Sequence, residues 1–138
     1  MSTSTLPTKL MDNWEQVRDD WVAEVERFIA EVETWCKRQD WACRRDLKTI
    51  VESEVGAYVV PQLLVQDTFG RLLFDPYARF VVGAEGLIDL SVVPSYHYVL
   101  IVRYPEGWFL VEEDTEGPRV AWSEGVFAEL APRLGRSA

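Results

Sequence analysis

The middle of the chain is a series of short apolar runs separated by turn residues, and this feature constrains the fold more than any other. The runs cover residues 58–66, 87–93, 97–104 and 108–114. They are rich in Val, Ile, Leu, Tyr and Trp, and runs of this length between Gly, Pro and Asp residues are typical of β-strands. Because each run follows closely on the last, the pattern predicts an antiparallel meander in which chain neighbours pair.

A long amphipathic helix is predicted before these strands, over residues 12–39. Apolar side chains recur there at steps of three and four, as one face of a helix requires: Trp14, Val17, Trp21, Val25, Phe28, Val32 and Trp35. At about 1.5 Å per residue such a helix is about 40 Å long, more than the width of a small sheet. Either all the tryptophans pack on the sheet as core, or part of the stripe overhangs and needs a partner to cover it.

Turn residues set the boundaries between the strands. Residues 67–70 read Asp-Thr-Phe-Gly, which suits a hairpin turn, and residues 104–108 suit a second hairpin with Gly107 in the left-handed conformation. Pro61 cannot donate a backbone hydrogen bond, so it is expected at a sheet edge or a bulge. Asp75 and Pro76 can cap a short helix through Arg79, which leaves open whether residues 75–86 are helical or extended.

These elements predict one α+β domain over residues 12–134. It consists of a long N-terminal amphipathic helix packed on a five- or six-stranded antiparallel β-meander, with a first strand in residues 42–54, and a short C-terminal helix capped by Ser123. Residues 1–11 are expected to form a flexible tail, and residues 135–138 a frayed C-terminus. The strands are apolar on both faces, so both need cover, from the two helices, a second subunit or a client protein.

Charge and cysteine content exclude several classes of function. A net charge of −9 argues against binding to nucleic acid, which requires clustered Lys and Arg. No apolar run approaches the roughly 20 residues that span a bilayer, so no membrane contact is expected. Cys36 and Cys43 are the only cysteines, and without a leader segment they indicate free thiols in a reducing cytoplasm. Their spacing matches no zinc site, and we expect neither a metal nor a cofactor.

Three polar side chains are candidates for a binding site on one sheet face. If the second hairpin is centred on Gly107, Tyr104 lies opposite Trp108, and Asp89, His97 and Arg103 share the face away from the core. Asp89 and Arg103 can then pair diagonally, and His97 can approach Glu113. Such a group can orient a small ligand, with His97 as general base, or form an ordinary ion pair at the rim.

A metal-dependent hydrolase is a second alternative, with Glu52 or Glu54, Asp75 and Asp89 as ligands. Residues 86–90, Gly-Leu-Ile-Asp-Leu, resemble the Asp-bearing strand of the restriction-nuclease-like family. The resemblance implies that these acids converge on a pocket within metal-binding distance. The chain departs from that family on the next strand, where a further acid and a Lys are required and residues 100–103 read Leu-Ile-Val-Arg.

The favoured function is that of a small acidic, soluble, non-enzymatic protein that acts as a protein–protein interaction module of the chaperone or adaptor kind. In size and charge the chain resembles the dimeric chaperones of bacterial secretion systems, and this resemblance implies a protein partner or a homodimer. The expected contacts are exposed parts of Trp14 and Trp21, and secondarily Asp89, His97 and Arg103. We predict no catalytic residue, because the strands offer few reactive side chains.

Overall fold

Along the described parts of the chain, a helix comes first, then seven strands that pair in sequence order as one antiparallel sheet, and then a second helix. The computed structural model describes residues 2–53, 55–78, 85–95, 97–112 and 118–136, with the side chains of the first helix described from Trp14 onward. The elements are α1 (Ser2–Gln39), β1 (Ala42–Glu52), β2 (Gly56–Asp67), β3 (Gly70–Ala78), β4 (Gly86–Val93), β5 (Tyr98–Tyr104), β6 (Gly107–Val111), β7 (Val120–Ala121) and α2 (Glu124–Arg136). In the described residues the strands form one seven-stranded sheet in the order β1 to β7. The predicted α+β architecture is confirmed, with seven strands in place of five or six.

Helix α1 follows the predicted apolar stripe and ends where expected. It begins at Ser2, earlier than the predicted start at Asp12, and no observation tests the expected flexibility of residues 1–11. At its C-terminus Asp40 adopts φ 62°, and the backbone N–H of Trp41 donates to the carbonyl of Cys36 at 2.9 Å. A residue in this left-handed conformation closes the last helical turn and redirects the chain into a strand.

Both helices pack on the same face of the sheet, which we call the covered face. The ring of Phe74 in β3 contacts Phe28 of α1, with centroids 5.8 Å apart, and Phe127 of α2, with centroids 5.7 Å apart. The Oγ of Ser123 accepts the backbone N–H of Val126 at 3.2 Å, so the predicted cap of α2 is confirmed. The expectation that the two helices could cover opposite faces is wrong, and the other side of the sheet, the open face, carries no helix among the described residues.

The β2–β3 hairpin turns at Thr68 and Phe69, as predicted, with Gly70 at φ 118°. The helix considered after Asp75 does not form, because β3 continues through Asp75 and Pro76 and pairs with β4. Pairing with a neighbouring strand outweighs the local cap signal at this position. Residues 79–84 lie outside the described residues.

The predicted register of the β5–β6 hairpin is wrong by one residue. Arg103 lies opposite Trp108 and Tyr104 opposite Gly107, because Pro105 and Glu106 alone make the turn. A slip of one residue moves every side chain to the other face of a strand. Arg103, which was expected on the face away from the core, therefore faces the helices beside Trp108. The open face instead carries a small second apolar cluster of Val102, Tyr104 and Val111, with Leu87, Leu100 and Phe109 packed against it.

Strands β1 and β2 reach beyond the rest of the sheet. The β2–β3 ladder ends at Leu63 opposite Phe74, whereas β1 and β2 stay paired from there to Glu52 opposite Gly56. We call this two-stranded segment, residues 46–52 with residues 56–62, the hairpin extension. Pro61 pairs only with Leu47 in it, which confirms its expected place at an edge.

The buried side of β2 changes within the hairpin extension. Leu63 and Val65 are buried at odd positions, whereas Tyr58 and Val60 are buried at even positions. A two-stranded ribbon twists more strongly than a wide sheet, which accounts for an inward side that changes over a few residues. As a result, the odd-numbered side chains of the hairpin extension are exposed, except that of Pro61, which is buried.

Candidate functional site

The tryptophan stripe of α1 is largely core and not contact surface. Trp21 is 4% exposed, its ring packs on Trp108 with centroids 6.0 Å apart, and a Cβ on Gly86 would lie 2.2 Å from it. Trp14 is half-buried, and Val17 is exposed. The expectation that Trp21 offers an exposed surface is therefore wrong, and the outward end of the stripe is confined to the region of Val17 and Trp14.

Asp89, His97 and Arg103 do not come together. Asp89 lies opposite Leu100 on the open face, whereas Arg103 lies on the covered face, within 3.8 Å of a carboxylate oxygen of Glu24. The predicted Asp89–Arg103 pair is therefore excluded by the register of β4 and β5. His97 is exposed just before β5, and Glu113, its predicted neighbour, lies outside the described residues. These positions give no common ligand site.

A polar cluster does form on the open face, around Asp75. The Nζ of Lys48 donates to Asp75 Oδ1 and to the carbonyl of Pro76, both at 2.7 Å, and Gln62 Nε2 donates to the same carboxylate at 2.9 Å. Asp89 lies directly opposite Asp75 on the neighbouring strand. Sequence reasoning missed Lys48 and Gln62, because the strand pairing that places them beside Asp75 joins residues far apart in the chain.

Asp89 is the residue of this cluster whose pKa departs from its ordinary value. Burial raises the pKa of its carboxyl above the ordinary value, the charge of Asp75 raises it further, and Lys48 opposes the shift. The Oδ1 of Asp89 is buried and has no hydrogen-bond partner among the described residues. Burial and the neighbouring Asp75 therefore both oppose ionisation of Asp89, while Lys48 and Gln62 hold the Asp75 carboxylate in place.

The acids proposed as metal ligands do not converge as the hydrolase alternative requires. Asp75 and Asp89 are neighbours, but the carboxylate of Glu52 accepts the hydroxyl of Tyr58 at 2.6 Å. Glu54 lies outside the described residues. Within the part of the chain that the structure describes, no group of three or more His, Cys, Asp or Glu side chains could hold a metal ion.

The two cysteines are free thiols, as predicted. Cys36 is fully buried at the end of α1, and Cys43 in β1 packs against the same core. Burial raises the pKa of Cys36 to about 12, and the neighbouring Cys43 contributes to the shift. Because the thiolate is the reactive form, this burial makes Cys36 a poor nucleophile.

The most exposed apolar surface of the described residues lies on the hairpin extension. Leu47 is 77% exposed, Val51 is 76% exposed and Val59 is 49% exposed, and all three occupy odd positions on the outward side. We call these residues the hairpin patch. The sequence interpretation missed the patch because Arg44, Arg45, Asp46 and Lys48 dilute the strand signal around it. The spacing of Leu47, Thr49 and Val51 at every second residue could have predicted that they share one side of the strand.

An open groove of about 530 Å³ adjoins the hairpin patch. Helix α1 lines it with Arg18, Val22 and Glu26, and β2 lines it with Ala57, Tyr58 and Val59. Val59 therefore belongs to both the groove and the hairpin patch. The groove has apolar walls and a rim of both charges, a composition that suits a protein surface better than a small anionic ligand.

Strand β1 is also an edge of the sheet. It pairs with β2 on one side, and no described strand pairs with its other side. Arg45 fixes the strand to α1 through ion pairs with Glu26 at 2.5 Å and Glu33 at 2.8 Å. A long edge strand with exposed apolar side chains presents unpaired backbone groups that a further strand can use.

Comparisons of the chain with protein-family models, curated proteins and solved structures found no significant match. Among the described residues, no helix combines the length and the apolar character needed to cross a membrane.

Proposed function

We propose that the chain is a non-enzymatic protein–protein interaction module, of the adaptor or chaperone kind, that binds its partner through the hairpin patch and the free edge of β1. The observation that carries this proposal is the exposure of Leu47 and Val51, each more than three-quarters accessible on a strand that pairs on one side only among the described residues.

The physical support is the grouping of apolar surface with unpaired backbone. Single exposed aliphatic residues are ordinary on protein surfaces, but Leu47, Val51 and Val59 share one side of a two-stranded ribbon. Covering such side chains gains about 25 cal/mol per Å² of apolar surface, and the strand edge adds directional hydrogen bonds. A partner that supplies an extended strand uses both features.

The open-face cluster supports a structural role more than a catalytic one. Lys48 and Gln62 already occupy one oxygen of Asp75, and Asp89 is held between this cluster and the apolar residues of β5. A hydrolytic site would need a further acid or nucleophile directed at the same point. We therefore place the function at the hairpin patch.

The test compares what the tagged chain retains from extracts of its own cells. The disrupting variant is Leu47→Lys with Val51→Lys, which places two charges in the hairpin patch. The matched control is Tyr98→Lys with Val120→Lys, because these residues are also exposed but lie elsewhere on the sheet. Circular dichroism and thermal unfolding establish that both variants fold.

We expect proteins that bind the wild-type chain to be retained by the control and lost by the hairpin-patch variant. Proteins retained equally by both variants would contradict the proposed function. So would loss from the control alone, since that would place the binding surface at the other end of the sheet.

A further inference from the structure

We infer that the partner at the β1 edge is a second copy of this chain, paired antiparallel with β1 about a two-fold axis through Leu47. The inference rests on the proposed function and deepens it by naming the occupant of the edge. It is carried by a self-complementary arrangement of the side chains along β1.

Geometry restricts the registers available to such a pair. In an antiparallel ladder, residues that lie opposite one another point to the same face. A two-fold axis normal to the sheet must therefore pass through a residue and not between two residues. With the axis at Leu47, Ala42 lies opposite Glu52 of the second copy, so all of β1, Ala42–Glu52, is paired. This register gives the longest ladder that the strand can form with itself.

Charge favours the same register. It places Leu47 opposite Leu47, Asp46 opposite Lys48, Arg45 opposite Thr49 and Arg44 opposite Ile50 of the second copy. No like charges face each other. A shift of the axis to Asp46 opposes two Asp46 carboxylates and sets Arg44 against Lys48, and a shift to Lys48 opposes two lysines. Like charges placed directly opposite are destabilising in a sheet, so the charged residues of β1 disfavour the two neighbouring registers. An axis at Ile50 opposes no like charges but pairs only residues 48–52.

The neighbouring contacts leave this register unobstructed. Arg45 faces Thr49 of the second copy with its charge already compensated by Glu26 and Glu33 of its own α1. Lys48 donates to Asp75 and Pro76 of its own chain and keeps a third N–H. Leu47 reaches an equivalent leucine across the axis and loses much of its solvent exposure. Charged residues on an edge commonly prevent pairing, whereas here they disfavour the two registers next to the proposed one and are compatible with the proposed register itself.

Sedimentation and disulfide trapping test the inference together. In the proposed register, cysteines at position 47 of two copies face each other within the Cα separation of about 4.4–6.8 Å that a disulfide requires. Cysteines at position 49 are offset by four residues, or about 13 Å, and cannot be bridged. The variants are Leu47→Cys and the matched control Thr49→Cys, with the wild-type chain reporting any cross-link through Cys36 or Cys43.

We expect the wild-type chain to sediment as a dimer at micromolar concentration and Leu47→Cys to give a dimer band on a non-reducing gel under mild oxidation. Thr49→Cys and the wild type are expected to give none. Leu47→Lys, which places two ammonium groups at the axis, is expected to weaken the dimer at least about tenfold. Its folding is verified by circular dichroism.

A monomeric wild-type chain at micromolar concentration, or a Thr49→Cys band as strong as that of Leu47→Cys, would overturn the second-copy inference. Neither result bears on the proposed function, which fails if the hairpin-patch variant and its control retain the same proteins from extracts, or if proteins are lost from the control alone. The two failures are therefore distinguishable.

Discussion

The sheet under the helices and the hairpin extension both carry alternating aliphatic side chains, but these side chains are buried in the first region and exposed in the second. Under the helices, Leu72, Phe74 and Leu90 are fully buried. In the hairpin extension, Leu47 and Val51 stand mostly in solvent, although they alternate along their strand in the same manner. Alternation identifies a strand with two distinct sides, and the extent of pairing with other elements decides which side is covered.

The largest effect is expected from Trp21→Ala, on the covered side of the comparison. The indole is almost fully buried between α1, Gly86 and Trp108, and its removal leaves a large cavity. We expect the free energy of unfolding to fall by about 3–5 kcal/mol in urea titrations. A loss below about 1 kcal/mol would place the ring outside the core and weaken the contrast with the hairpin extension.

Gly86→Ala tests the packing of the sheet under the helices at the contact between Gly86 and Trp21. The new methyl group would meet the Trp21 ring at 2.2 Å, so the loss is expected to be about 1–3 kcal/mol. In a Trp21→Ala background the cost should shrink, because the obstructing ring is gone. Gly125→Ala in α2 is the matched control, since a Cβ there has room. Equal costs for Gly86→Ala in both backgrounds would contradict the packing described.

Asp89→Asn tests the open face. Because the pKa of Asp89 is raised, the folded chain holds this proton more tightly than the unfolded chain, so the free energy of unfolding falls as pH rises through the interval above the ordinary value of 3.8. Asparagine removes the buried charge, and we expect about 1 kcal/mol of added stability at neutral pH. The gain should disappear below the ordinary value. Asp46→Asn is the control at an exposed carboxylate, and a gain that persists in acid would contradict the assignment to ionisation.

The smallest effect is expected from Leu47→Ala, on the exposed side of the comparison. Measured at a concentration where the chain is monomeric, its free energy of unfolding should change by no more than about 0.5 kcal/mol. The side chain has little to lose because it is 77% exposed. A loss of about 2 kcal/mol or more would show that Leu47 packs within its own chain and would remove the basis of the hairpin patch.

Local signals accounted for much of the fold. The apolar spacing of α1, the Asp-Thr-Phe-Gly turn after β2 and the Ser123 cap could each be predicted from residues close together in the chain. The candidate site could not be predicted from such local patterns. Asp89 was a candidate site residue from the sequence, but Lys48, Gln62 and Asp75, which form the polar cluster beside it, come from three other strands. Arg103 was assigned to the wrong face because one residue in a turn was counted differently.

The sequence by itself determined the order and kind of the elements, because periodicity, capping and turn chemistry act between residues close together in the chain. Only the tertiary structure decided that both helices lie on one face, that β5 and β6 pair through a two-residue turn, and that β3 leaves β2 at Leu63. These outcomes depend on contacts between distant segments, where small differences in packing energy choose among registers and faces that are locally equivalent. The exposed hairpin patch is the consequence of that choice.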